Sequence, residues 1–370
     1  MAPAHATPSQ SSGPLASARP RDGRAGEGRL RELDALRGLA ALAVVLYHYT
    51  VRYGELFSAP RPAWQFTGGS YGVEVFFGIS GFVILMTLQR SRTAYDFLVS
   101  RFSRLYPAYW VCVGLTMVTL TLLPLPGRQV GWWDALANLT MWQEMWRIPH
   151  VDGVYWSLQV ELIFYAMMLA AWSVGGLKYA RTLLIAWLLV ALGTVFGAHA
   201  LGRGVPYVAE RFLLLGYSAF FAIGAAAFLD FEGRRVSRQT LVVFALAAAT
   251  AWAWKGAGGF VVALGMVALF TLLVLRRARW LDRPALVWLG AISYPLYLLH
   301  QNIGYAVMRR LNGDGVWQPV AMGAAIVVSV ALAAGVTFLV ERPALTWLRG
   351  RLRRPPVKRD VVEPVSPTSA

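Results

Sequence analysis

LDALRGLAALAVVLYHY, residues 33–49, is an almost unbroken apolar run that carries Asp34 and Arg37 near one end and His48 near the other. A helix needs about 20 mostly apolar residues to cross the hydrocarbon core of a bilayer, and this run, continued to residue 52, meets that length. It is too long and unbroken for a cleaved signal peptide, and many similar runs follow it, so it reads as a retained first span. Arg37 and His48 are eleven residues apart. At 100° per residue that falls about 20° from three full turns, so both point to one face, roughly 16 Å apart along the axis.

Further spans are expected near 71–89, 105–124, 156–174, 182–201, 212–229, 240–255, 259–275, 285–308 and 319–340. The fold expected is therefore an all-α membrane helix bundle of about ten transmembrane helices. The seventh and eighth meet at a Gly-rich turn, Gly256 to Gly259, and Pro295 invites a kink in the ninth. Composition agrees: 57% of the 370 residues are hydrophobic and 15% charged, against about 25% charged in soluble proteins. The net charge of +16 could suggest nucleic acid, but the basic residues fall between apolar runs rather than in one patch. With the N-terminus inside, 25 basic residues lie on the inner side and nine on the outer. The positive-inside rule then puts both termini in the cytoplasm and supports an even number of spans. Residues 1–32 and 346–370 read as disordered basic cytoplasmic tails around a transmembrane domain at 33–345. Cys112 is the single cysteine, so no disulfide framework is possible within the chain. The outward loop 125–155 carries Trp132, Trp133, Trp142 and Trp146. It reads as a helix lying on the membrane surface, or as a lid or re-entrant segment over a site.

Ionisable groups inside spans cost several kcal/mol unless paired or wet, and few are present: Asp34, Arg37, His48, Glu74, Glu161 and His300. Arg37 could snorkel to the headgroups and His48 could be an interfacial ring; two polar groups on one helix face favour a site. FFGISGF, residues 76–82, offers Gly78 and Gly81 for close helix approach and Ser80 as a hydrogen-bonding group. RFSRLYPAYW, residues 101–110, places Arg101 and Arg104 on one face if the helix begins there. Two guanidinium forks suit the phosphates of a nucleotide-bearing donor, although ordinary positive-inside charge explains them as well. WSLQVELIFY, residues 156–165, sets Glu161 over one turn inside the outer boundary, at about the expected depth of His48. Glu161 could orient that ring or form a structural pair, for instance with Arg211. His300, in ISYPLYLLH at 292–300, has the look of a packing histidine.

Taken in order, the Arg and His of the first span, FFGISGF, RFSRLYP, WSLQVELIFY, ISYPLYLLH and VERPA at 340–344 resemble the acyltransferase-3 family of integral-membrane O-acyltransferases, across residues 30–345. The resemblance implies an enzyme that acylates hydroxyls of a sugar, glycoside or glycan, with acyl-CoA, normally acetyl-CoA, as donor co-substrate and no metal. It implies His48 as the catalytic histidine, Arg37 as its partner, and Arg101 and Arg104 in donor binding. Trp156, Ser157 and Glu161 match the family's WSL–Glu segment. Glu161 joins His48 and Arg37 as a catalytic candidate, Trp156, Ser157, Tyr165, Ser80 and His300 are candidate substrate-binding residues, and Arg37 is also a donor contact. Some members carry an extra span and a fused hydrolase-like domain; neither is expected after the tenth span of this sequence. The expected location is the plasma membrane, multi-pass. The expected route holds the CoA head on the inner side, passes its arm by Arg37, and brings the thioester to His48 as general base or transient acyl carrier. The rival class is a proton-coupled carrier of a small polar solute, which also uses intramembrane His, Glu and Arg. Carriers often show repeated halves, and none is visible in the sequence.

Overall fold

The computed structural model describes residues 30–59 and 62–352, and every regular element among them is helical. The terminal tails expected at 1–32 and 346–370 fall largely outside these residues. Helix α1 spans Arg31–Tyr47 and widens into a π-helical turn, His48–Arg52, before Tyr53–Phe57. Helices α2 (Gly72–Arg90) and α3 (Ala94–Leu122) follow. A capping box starts α3: Asp96 N–H donates to Thr93 Oγ1 and Thr93 N–H to Asp96 Oδ2, each at 3.1 Å. The helix thus begins seven residues before Arg101, so Arg101 and Arg104 lie within it rather than in a loop.

A short helix α4, Trp132–Asn138, lies in the long loop and precedes α5 (Trp156–Ser173), α6 (Ala180–Ala200) and α7 (Ser218–Phe231). Helix α8 runs Arg238–Val274 with its start capped by Ser237. It is broken only at Gly256, at φ 64° and ψ −157°, a conformation a side chain would oppose. The seventh and eighth predicted spans are its two limbs. Helices α9 (Pro284–Gly313), α10 (Gln318–Val336, continued by a π-helical turn Thr337–Glu341) and α11 (Arg342–Leu352) complete the bundle. Pro295 is taken up inside α9, and α11 runs past the domain boundary expected at 345.

A helix thus covers every predicted span, and six helical stretches are long and apolar enough to cross a membrane by length and composition. The predicted spans outside those six lie on α1, α7 and α9. These are enclosed helices: nearly all of α7 is buried, and α1 packs against both α2 and α9. Neighbouring protein rather than lipid surrounds them, so they tolerate charge, polarity or short length. Small residues set the spacing. A Cβ on Gly224 of α7 would collide with the Gly78 carbonyl, and one on Gly81 with the Phe221 carbonyl. A Cβ on Gly290 of α9 would likewise strike the backbone of Asp34. FFGISGF is therefore a packing surface as well as the carrier of Ser80.

Candidate functional site

The first-span histidine faces protein, not lipid. His48 Nδ1 lies 2.9 Å from the Val44 carbonyl oxygen and 3.2 Å from His300 Nε2. The two imidazoles meet edge to face with centroids 4.8 Å apart. His300 is fully buried, and its Nδ1 lies 2.9 Å from the Tyr297 carbonyl oxygen. A carbonyl can only accept, so Nδ1 of each ring carries the proton in the neutral pair. His300 Nε2 is then an acceptor for His48 Nδ1–H, and His48 Nε2 is left with its lone pair. Tyr49 fixes the frame: its hydroxyl donates to the His300 carbonyl at 2.7 Å and meets Ser329 Oγ at 2.9 Å. Gly304 provides the room, since a Cβ there would collide with the Tyr49 hydroxyl. The His48 ring begins the π-helical turn, a distortion that often marks functional sites.

Deeper in the bundle, a narrow cavity of about 70 Å3 is lined by Arg37, Arg101, Arg104, Ser80, Glu161 and Tyr165, among others. Glu161 accepts from Ser80 Oγ at 2.6 Å and from the Tyr165 hydroxyl at 2.5 Å. Arg104 forms an ion pair with Glu341, the acid of VERPA, which is 2% exposed. Arg101 stacks toward the Tyr165 ring and Arg104 toward Tyr294, at 5.9 and 6.0 Å. Three guanidinium groups thus line one space with a single carboxylate, Glu161, a concentration of donors suited to a phosphate-bearing ligand. At the end nearer the histidines the cavity is bounded by Phe76, Ser157 and Tyr297. The Tyr297 hydroxyl is 2.7 Å from Ser157 Oγ, and its ring centroid is 5.9 Å from that of His300. Tyr297 therefore stands between the arginine cavity and the histidine pair, and His48 does not itself line the cavity.

Glu161 and His48 are not partners. Ser157 is level with Tyr297, one turn below His300, and Glu161 lies a further turn in, roughly 10 Å below His48 at 1.5 Å per residue. The depth read from the sequence was too shallow because the chain enters the bundle before Trp156. Val151, Asp152, Val154 and Tyr155 are all buried, and Asp152 accepts from the Asn302 backbone N–H at 2.9 Å. In the loop 125–155, α4 exposes Trp132 and Trp133, while 151–155 folds inward. Arg211 pairs with Glu144 of that loop, not with Glu161. Trp156 sits outside the arginine cavity, beside Phe77 and Tyr217 at centroid distances of 6.3 and 5.6 Å. Glu341, the acid of VERPA, is a site residue that the apolar runs and their ionisable groups did not single out. A carboxylate at the end of an apolar run, facing an arginine-bearing helix, was the available signal.

A family model described as "Acyltransferase domain" matches residues 30–339. The Exopolysaccharide production protein ExoZ of Rhizobium meliloti (strain 1021) is 27% identical over 322 residues, covering 80% of this chain and 95% of that protein. Nodulation protein 10 of Rhizobium leguminosarum bv. viciae is 28% identical over 371 residues, 86% and 94% of the two chains. The Peptidoglycan O-acetyltransferase OatA of Listeria monocytogenes is 27% identical over 152 residues, 36% of this chain and 22% of that protein. No solved structure matches the chain.

Proposed function

As the chain belongs to the acyltransferase-3 family and is an O-acyltransferase, we propose that it moves an acetyl group from acetyl-CoA to a hydroxyl of a sugar or glycan, with His48 as the reacting base. The observation that carries this reading is the His48–His300 pair. It presents an unprotonated Nε2 at one end of a bundle whose arginine-lined cavity lies deeper in.

In this reading Arg37, Arg101 and Arg104 hold the phosphates of CoA, and the thioester arm passes Tyr297 to reach His48. A cavity of about 70 Å3 is well below the about 300–1,000 Å3 of small-molecule sites. The arm therefore enters by parting the helices around Tyr297. His48 Nε2 takes the acceptor hydroxyl proton as its oxygen attacks the thioester carbonyl. A C–O bond forms, the C–S bond breaks, and the CoA thiolate leaves and recovers the proton. The same lone pair would serve a transient acyl-histidine. General-base help of this kind contributes about 10²–10⁴-fold, and holding the donor in place contributes more. His300 is a positioning residue: it accepts from His48 Nδ1–H and keeps the lone pair on Nε2.

The basic residues concentrated on the side of Arg101 support a cytoplasmic donor, ten spans and cytoplasmic termini in the plasma membrane. The test is mass spectrometry of surface glycans from cells with the gene, without it, and with His48→Ala. An acetyl mass difference (about 42 Da per group) should appear with the wild-type gene alone. Equal acetylation with His48→Ala removes His48 from the mechanism.

A further inference from the structure

On the other flank of α2 from His48, at the same end of the bundle, an open cleft of about 470 Å3 is lined by Tyr71, Glu74, Trp156, Tyr217 and Lys255. That volume lies within the range of about 300–1,000 Å3 found for small-molecule sites. Lys255 immediately precedes the break at Gly256. Its Nζ is 2.9 Å from Glu74 Oε1 and 4.8 Å from the centroid of the Tyr217 ring. Glu74 is buried while Lys255 is a quarter exposed. A lysine and a buried glutamate in apolar helices are costly, and here they form a neutral pair at the rim of a cleft. One bond between them leaves two ammonium protons and several carboxylate lone pairs for other partners. Trp156 and Tyr217 present neighbouring faces, and Tyr71 wedges its hydroxyl against Gly258 just past the break.

Aromatic faces beside a paired ammonium and carboxylate suit an uncharged ring with apolar C–H faces and a rim of hydroxyls. We propose that this cleft is a glycan subsite that holds a pyranose unit of the acceptor. The proposal rests on the O-acyltransferase reading above and assigns the side on which the acceptor lies. Val73 lines both this cleft and the arginine cavity, so one wall divides them. The turn Thr67–Tyr71 links the cleft to the histidine, because Gly69 packs against Ala43 and Tyr47, the residue before His48. A sugar anchored in the cleft leaves its neighbour in the chain to present a hydroxyl to His48. The site thus selects a polymer or oligomer over a single sugar.

The test uses the full-length protein in its host with the chromosomal copy deleted, and the cell's own surface glycans as the probe. Ser70→Trp plugs the rim without touching the ion pair. The double change Glu74→Gln with Lys255→Gln keeps shape but removes both charges, and losing both partners of a buried pair is far milder than losing one. Val261→Trp, on the exposed face of α8 one turn past the break, is the control. At equal amounts in the membrane, wild type and Val261→Trp should acetylate equally, and both cleft variants should fall at least tenfold. Cleft variants that acetylate at the wild-type level overturn the subsite while leaving the O-acyltransferase reading intact. Wild-type cells no more acetylated than the deletion strain would remove both.

Discussion

His300 Nε2 stands 3.2 Å behind His48 Nδ1, on a parallel helix held to α1 by the contact of Gly290 with the Asp34 backbone. The arrangement has the logic of a base with an orienting group behind it, with a neutral imidazole in place of the usual carboxylate.

Replacing His300 tests that relationship. His300→Leu should lower kcat by about 10–100-fold, part of the general-base contribution, with little change in KM for acetyl-CoA. His300→Gln returns an acceptor oxygen near the position of Nε2 and should recover a large share of the loss. Equal defects in both variants would reduce His300 to packing.

Glu161 should behave differently from His300, because it sits among Arg37, Arg101 and Arg104 and accepts from Ser80 and Tyr165. Glu161→Gln should act on the donor side, raising KM for acetyl-CoA more than it lowers kcat. A pure kcat effect in steady-state assays would instead tie Glu161 to the chemical step.

The Arg104–Glu341 pair predicts a stability effect. Glu341→Ala leaves the part-exposed Arg104 guanidinium without its buried carboxylate, a loss that solvent screening holds below the about 3–5 kcal/mol of a fully buried pair. Thermal melting in detergent should fall by several degrees, and exchanging the two residues should restore melting. A melting curve unchanged in Glu341→Ala would show that the pair contributes little.

The loop 125–155 predicts a pH effect. His150 accepts from Gln143 at Nδ1 and faces Glu144 and Arg211. Burial holds its imidazole below the ordinary histidine range, with Arg211 adding to the effect and Glu144 opposing it. The neutral form is therefore the one the fold favours. The contribution to loop stability is complete above the unfolded histidine pKa and is lost as pH falls from there through the lowered folded value. Limited proteolysis of 131–155 should be slow at neutral pH and faster in mild acid. His150→Gln should flatten that dependence.

Much of this was legible in the sequence. Apolar runs of bilayer length marked the long helices, six of which are long and apolar enough to cross a membrane, and ionisable groups within such runs singled out Arg37 and His48 as candidates. Ser80 was read as a cross-helix hydrogen bonder, and it reaches Glu161. What the sequence hid was depth. Trp156 looked like the start of a span, yet the chain is already buried at Val151, so Glu161 lay lower than a count from Trp156 implied. The His48–His300 pairing was hidden for a related reason. The two residues are 252 apart in the chain, and their meeting depends on which helices pack together, set by Gly38, Gly290 and Gly304 at contacts that no local pattern announces.

The most direct measurement is free thiol release by purified wild-type and His48→Ala protein in liposomes, given acetyl-CoA and solubilised surface glycan. The account predicts steady thiol release with matching acetyl gain on the glycan for wild type, and neither for His48→Ala. Solute uptake without thiol release by the wild type, or undiminished thiol release by His48→Ala, would contradict it.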